Sequence, residues 1–471
     1  MEYVLDGEEG VEPASPSAQY LNSKVLSLSI IAVLETKVAF EIDETELVSI
    51  VKDVFLPINR RFSSIMVNEK NGEKKWKSVE VNPIDHLKFP TYPIGKPLEY
   101  YDKCLSEYLT NIALDPFPQS RPLWEIHIFR YPTSNAAGNC IFKLHHSLGD
   151  GYSLMGALLS CLQRAGNSKL PLTFPRRERS KTERDNFIGG VFKAVPRFLS
   201  GIVHTALDFS WSVLKSSLVD DDRTAIHSQD DGVEFRPISL TTMSFSLNLL
   251  TQIKSSLNVT INDVMTGIVT FGIRLYMQEI DKETCNGRCT SLVLFNTRAT
   301  KGYTSVDEMI KPNAEMPWGN RFTFLAFEIP KLVFGSESSD PLGFVFRAHH
   351  MVKRQKSSAS VYLNSQLLEF LRKFRGPEAT SGYLHGMLRN TSITMSNMIG
   401  PVEETTVINH PVKDIYFFVA GSPQSLSLTM VSYMGNLRLA IVFEKDFIDA
   451  DKLKSSIQYA FDEIFKLSVQ S

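Results

Sequence analysis

An α/β fold in two lobes is what this chain predicts, and three observations predict it. The chain has 471 residues, well beyond the ~250–300 at which a single hydrophobic core stops growing. It is 43% apolar, enough for sizeable cores. Strand-like and helix-like runs intermix along both halves instead of segregating into blocks.

The elements follow in order. In the first half Leu26–Val33, Glu125–Phe129 and Cys140–His145 read as strands, and Ser153–Ala165 as a helix. In the second half strands are expected over Ser239–Leu247, Ser291–Asn296, Phe322–Ile329, Ser392–Ser396, Asp414–Val419, Leu426–Tyr433 and Leu437–Phe443. Gly435-Asn436 is expected to turn the last two into a hairpin. Ile261–Met277 and Asp451–Phe465 carry helical patterns. The resulting organisation is a disordered N-terminus over 1–15, a first lobe over 16–175, a linker over 176–232 and a second lobe over 233–471.

Charge and cysteine content narrow the class. A net charge of −2 argues against nucleic acid as a partner. Cys104, Cys140, Cys161, Cys285 and Cys289 form no disulfide framework, and Cys285–Cys289 has the wrong spacing for zinc. They read as reduced thiols in a cytosol-facing protein. The first residues are acidic and lack the apolar core of a signal peptide.

The chemistry concentrates in Leu144-His145-His146-Ser147-Leu148-Gly149-Asp150-Gly151, which follows the strand-like run Cys140–Lys143. Alternation along a strand places His146 with Leu144 and Phe142, and His145 with Lys143. His146 is therefore the candidate general base. A neutral imidazole can take the proton of an alcohol as it attacks a thioester, and no covalent enzyme intermediate is needed. Asp150 has two readings: contact with the imidazole, or a clamp on the loop through an arginine. Gly151 permits a backbone conformation or a close approach that a side chain would block. His349-His350 is an internal control: that pair lies in a basic, helical stretch without Asp-Gly and reads as a solvated helix face.

The segment resembles the HHxxxDG motif of the acyltransferase superfamily that includes chloramphenicol acetyltransferase, carnitine acyltransferases and peptide-synthetase condensation domains. Glu12–Pro16, Pro122-Leu123-Trp124-Glu125, Ile261-Asn262-Asp263-Val264, Pro317-Trp318-Gly319-Asn320, Ser396–Pro401 and Gly421–Leu426 with Ser432–Gly435 resemble, in order, blocks of the plant wax ester synthase/diacylglycerol acyltransferase family. The resemblance implies two chloramphenicol acetyltransferase-like lobes, with mixed sheets, flanking helices and the active site at their junction. It implies that Asp150 pairs with an arginine of the other lobe, for which Arg298 is the best match by position. It also suggests substrate-binding roles for Trp124, Asn262, Asp263, Ser396 and Asn397. The bland alternatives are a core indole for Trp124 and a helix cap for Asn262-Asp263.

Between the lobes, the basic run Arg176–Arg184 precedes Phe187, Val191, Val195, Phe198, Ile202, Phe209 and Val213 at helical spacing. Lys193, Arg197 and Asp208 interrupt the ~20 uncharged residues that a span needs. An interfacial helix on an anionic leaflet is expected instead, the alternative being a helical linker packed over the lobes.

No G-x-S-x-G elbow, H-E-x-x-H, Walker loop or dinucleotide fingerprint appears. No cofactor or metal is expected, acyl-CoA being a substrate. The expected activity is an O-acyltransferase that makes wax esters from fatty alcohols, triacylglycerol from diacylglycerol, or both. It would act at the cytosolic face of the endoplasmic reticulum membrane or at the plasma membrane. The alternatives are a non-catalytic lipid-binding protein on the same fold and a transferase for phenolic acceptors. The doubled histidine and the absence of Asp-Phe-Gly before Trp318-Gly319 disfavour the latter.

Overall fold

The computed structural model describes residues 11–69, 74–165, 172, 219–296, 298, 305–311, 314, 316–332, 340–356 and 360–470. The interfacial helix expected over 176–215 lies outside them. No helix among the described residues is long and apolar enough to cross a membrane.

Two large sheets organise the chain. The first has seven strands: β2 (Ser29–Thr36), β5 (Leu87–Lys88), β6 (Trp124–Phe129), β7 (Gly138–His145), β8 (Leu162–Arg164), β13 (Thr405–Val407) and β14 (His410–Ala420). Their order is β5-β6-β7-β2-β14-β13-β8. The second has six: β9 (Ile238–Ser246), β10 (Thr290–Asn296), β11 (Phe322–Glu328), β12 (Ile393–Ile399), β15 (Leu426–Tyr433) and β16 (Asn436–Glu444), in the order β11-β10-β12-β15-β16-β9. β10 and β15 run parallel to β12 and the remaining pairs are antiparallel, so this sheet is mixed.

The boundary expected at residue 233 does not separate the sheets. After β12 the chain leaves the second sheet, adds β13 and β14 to the first, and returns as β15. β14 is received because its central residues alternate between two cores: Ile415 and Phe417 face one side, Tyr416 and Phe418 the other. Residues 11–15, part of the stretch expected to be disordered, are ordered. β1 (Val11–Pro13) pairs with β4 (Lys74–Ser78), which pairs with β3 (Ser64–Asn68), and the Ser15 hydroxyl accepts from Ala18 N–H to cap the helix Pro16–Tyr20.

The hairpin β15–β16 forms with Tyr433 opposite Asn436, so its turn is Met434-Gly435 and not Gly435-Asn436. Both turn residues are left-handed, with φ of 46° and 80°, as a two-residue turn matched to strand twist requires.

Helices cover the sheets. The helix Gly151–Ser160 starts directly after the motif. The helix Ile261–Ile280 begins in a capping box, with Thr260 Oγ1 accepting from Asp263 N–H and the Asp263 carboxylate accepting from Thr260 N–H. It packs so closely on the helix Pro341–Lys356 that a Cβ on Gly267 would lie 2.8 Å from backbone atoms of Val345. One core gathers Phe55, Trp124, Phe142 and Leu144; a second gathers Ile268, Leu428, Ile441 and Leu453.

Candidate active site

β7 ends at His145 and His146 follows it. His145 is buried on the Lys143 side, where both meet the Phe117 ring. Its Nδ1 lies 2.8 Å from Ser147 Oγ and 3.1 Å from Ser147 N, and its Nε2 lies 3.0 Å from Ser27 Oγ. With both ring nitrogens occupied by the protein, His145 shapes the turn and has none left for substrate. Burial holds its pKa down at about 3, and His127 at about 3 for the same leading reason.

This has a consequence for stability. Both imidazoles stay neutral in the folded chain, whereas in the unfolded chain they titrate near ~6.5. As pH falls below that value the unfolded state binds protons that the native state refuses, so stability is lost. Melting temperature is expected to fall progressively from about pH 6.5 toward pH 3. Replacing His127 with a neutral isostere such as glutamine should flatten that slope, measured by thermal denaturation across pH.

His146 is buried on the opposite side. Its backbone N–H donates to Leu28 O at 2.8 Å, and the Phe322 ring lies 5.4 Å from the imidazole. Its Nδ1 is 3.0 Å from Asn320 Oδ1, while Asn320 Nδ2 donates to the His146 carbonyl at 2.9 Å. No hydrogen bond from the described residues reaches Nε2. Burial pushes the imidazole below the ordinary histidine range; Asp150, its own carbonyl and Asn320 pull the other way.

Asp150 does not touch the imidazole. It caps the helix Gly151–Ser160 through Ser153 N at 2.9 Å, and its other oxygen accepts from Arg321 N at 2.8 Å. Arg298 grips both oxygens, at 2.6 Å and 3.2 Å, and its side chain is fully buried. The guanidinium also donates to Pro317 O at 3.0 Å, Gly319 O at 2.6 Å and Ser153 Oγ at 3.0 Å. Of the two roles open for Asp150, the geometry is that of the clamp. The pair stitches the motif loop to residues 317–321, the segment that carries Asn320. Gly319 has φ +129°, which an L side chain rarely adopts. Gly151 serves a close approach, since a Cβ there would sit 3.3 Å from Met398 Sδ.

Four of the five residues expected at the substrate have protein partners outside the His146 cluster. Trp124 is fully buried, donates its indole N–H to Phe62 O at 2.8 Å and stacks on His86. With its polar atom and its faces taken by protein, it belongs to the core and not to a binding surface. Asp263 is a buried helix cap, and Asn262 accepts from Asn397 Nδ2. None of Asn262, Asp263 or Asn397 shares a hydrogen bond with the His146 cluster. The pleat of β12 sends Ser396 to the same face as Met398, toward Gly151, and Asn397 to the other. His349 departs from a solvated face: its Nδ1 lies 2.8 Å from the buried Asp263 carboxylate.

Ser27, Ser147, Ser153 and Asn320 were not singled out by sequence. Asn320 alone had a signal, as the last residue of the Pro317–Asn320 block, but nothing in the chain order tied it to His146, 174 residues away.

A buried imidazole beside a clamped loop, at the meeting of two mixed sheets, is the candidate active site of a two-lobed α/β protein. The wax ester synthase/diacylglycerol acyltransferase of Marinobacter aquaeolei VT8 has the same fold, with TM-score 0.58 at 12% identity over 97% of this chain and 100% of that one. The model of the wax ester synthase/diacylglycerol acyltransferase catalytic domain matches residues 102–265, and that of the WS/DGAT C-terminal domain matches 318–465. The chain belongs to the wax ester synthase/diacylglycerol acyltransferase family. Wax ester synthase/diacylglycerol acyltransferase 4 of Arabidopsis thaliana is 27% identical over 94% of this chain and 87% of its own length. Number 11 from the same plant is 27% identical over 93% and 91%.

Proposed function

We propose that this acyltransferase moves a fatty acyl group from acyl-CoA to a long-chain alcohol, giving a wax ester, or to diacylglycerol, giving triacylglycerol. His146 is the general base. Its Nε2 takes the hydroxyl proton as the oxygen attacks the thioester carbonyl. The C–O bond forms, the C–S bond breaks, and the imidazolium returns the proton to the departing thiolate as CoA–SH. The acyl group never resides on the protein, and no cofactor takes part. The observation that supports this reading is the buried, neutral imidazole of His146, whose Nδ1 is engaged while no described residue bonds Nε2. Either hydroxyl could meet such a base, so the two acceptors are separated by assay. Purified protein given one labelled acyl-CoA should form ester with a member of a panel of fatty alcohols or with diacylglycerol. No ester in any lane would favour a lipid-binding protein on this fold.

The same reading places the protein at a membrane surface, on the cytosolic face of the endoplasmic reticulum or at the plasma membrane, because its acceptors reside in bilayers. The basic and apolar stretch 176–215 is the proposed contact. Each cation near an anionic leaflet contributes about 1 kcal/mol, and salt screens it. Binding to anionic liposomes should exceed binding to neutral ones and weaken in high salt. Replacing Phe187, Phe198 and Phe209 with serine should release the protein. A triple variant that stays fully bound through carbonate washing would rule this segment out as the anchor.

A further inference from the structure

We propose that Asn320 is the positioning residue for His146, clamping the ring and its backbone with one side-chain amide so that Nδ1 carries the proton and Nε2 is left as the base. The inference rests on the reading of His146 as the base and adds what sets it.

The argument is one of donors and acceptors. A backbone carbonyl can only accept. The Asn320 atom 2.9 Å from the His146 carbonyl is therefore the NH₂ group. The other end of the amide is then the oxygen, which also only accepts, and it lies 3.0 Å from Nδ1. Nδ1 must supply the proton. In a neutral imidazole the remaining nitrogen, Nε2, then holds the lone pair. The His146 carbonyl is held in place by the same amide.

Asn320 is itself held. Trp318 Nε1 donates to Leu148 O at 2.8 Å. Gly319 O accepts from Arg298 and from Ser153 Oγ, and Arg321 N donates to Asp150. Asp150 and Arg298 thus act on the base through the loop that carries Asn320, with no direct bond from Asp150 to the ring. Among the described residues, the charged and titratable groups around the ring are Asp150, with Arg298 beyond it, and the neutral His145.

Three variants test this with one steady-state assay, using acyl-CoA and whichever acceptor supports turnover. Asn320→Ala should lower kcat by roughly 10- to 100-fold, part of the range a positioned base contributes, with KM for acyl-CoA little changed. Asn320→Asp keeps the shape but sets a carboxylate against Nδ1. An adjacent negative charge favours the imidazolium, so the acid limb of the kcat/KM profile should move to higher pH by about one unit. A side chain with only a packing role would lower melting temperature without moving that limb. Nitrogen-15 spectra of histidine-labelled protein, assigned with His146→Ala, should show His146 protonated at Nδ1 in the wild type and a mixture in Asn320→Ala. This last readout needs no activity.

The proposal is overturned if Asn320→Asp has the wild-type pH profile, if Asn320→Ala keeps more than half of wild-type kcat, or if His146 is protonated at Nε2. His146→Ala separates the two readings. If it remains active, the base assignment fails. If it is inactive while the Asn320 variants behave as wild type, only the positioning role of Asn320 fails. Should Asn320→Ala not fold, the isosteric Asn320→Asp carries the test.

Discussion

Replacing His146 with alanine is expected to remove ester formation, by roughly 10²–10⁴ in rate, while the protein still folds and still binds acyl-CoA. The size follows from the chemistry. An alcohol is far too weak an acid to ionise beforehand, so the proton must leave as the C–O bond forms. The buried junction offers one nitrogen poised to receive it. His145→Ala should behave differently. It strips partners from Ser27 Oγ and from Ser147 and opens space beside Phe117, so its main effect should be a lower melting temperature with some activity kept. The check is kcat for both variants beside their thermal melts and acyl-CoA binding. A His146→Ala enzyme holding more than about a tenth of the wild-type rate would be too active for the loss of a general base.

The second large effect is expected at Asp150 and Arg298. The pair is buried, bidentate and joined to Ser153, Pro317, Gly319 and Arg321. Removing one partner leaves the other as an uncompensated charge, which costs about 3–5 kcal/mol. Asp150→Asn and Arg298→Ala should therefore each lower melting temperature, and each should lower activity because the loop carrying Asn320 loses its anchor. The double variant should be little worse than the single variants, since residues of one network are not additive. A thermodynamic cycle in melting temperature and kcat decides this. Full additivity with unchanged melting would mean that the pair does not act as a unit.

The strands were the most legible part of the fold. β15 was bounded as the sequence suggests, and β6, β7, β10 and β16 were found within two residues, because apolar runs between turn signals mark strands locally. What sequence could not convey is which sheet a strand joins. Asp414–Val419 reads as a strand in isolation, but its partner is β2, nearly four hundred residues earlier in the chain. Val11–Pro13 was read as disordered since its order comes from pairing with Lys75–Lys77, not from its own pattern. The turn slipped by one residue because Met434 takes a left-handed conformation that its side chain does not advertise.

The candidate site divides in the same way. His146, Asp150 and Gly151 stand in one short motif, and the Asp150–Arg298 pair, implied by family resemblance, is present. Asn320 was not legible, as its role depends on a loop folded against the motif from the far half of the chain. Trp124 and Asp263 each carry two readings in the sequence, and the structure has the core indole and the helix cap. A tryptophan, or an Asn-Asp pair, in a family block signals importance without distinguishing a packed ring or a helix cap from a substrate contact.

In the proposed reaction a neutral, buried imidazole at position 146 performs the proton transfer. The pH dependence of kcat/KM in the wild type tests it most directly, because its acid limb reports the pKa of the free enzyme's base. Burial lowers that of His146, so activity should persist as pH falls past the ~6.5 of an unperturbed imidazole, and the limb should lie below that value. An acid limb at or above it, in an enzyme shown by its melting curve to be folded throughout, would contradict the account.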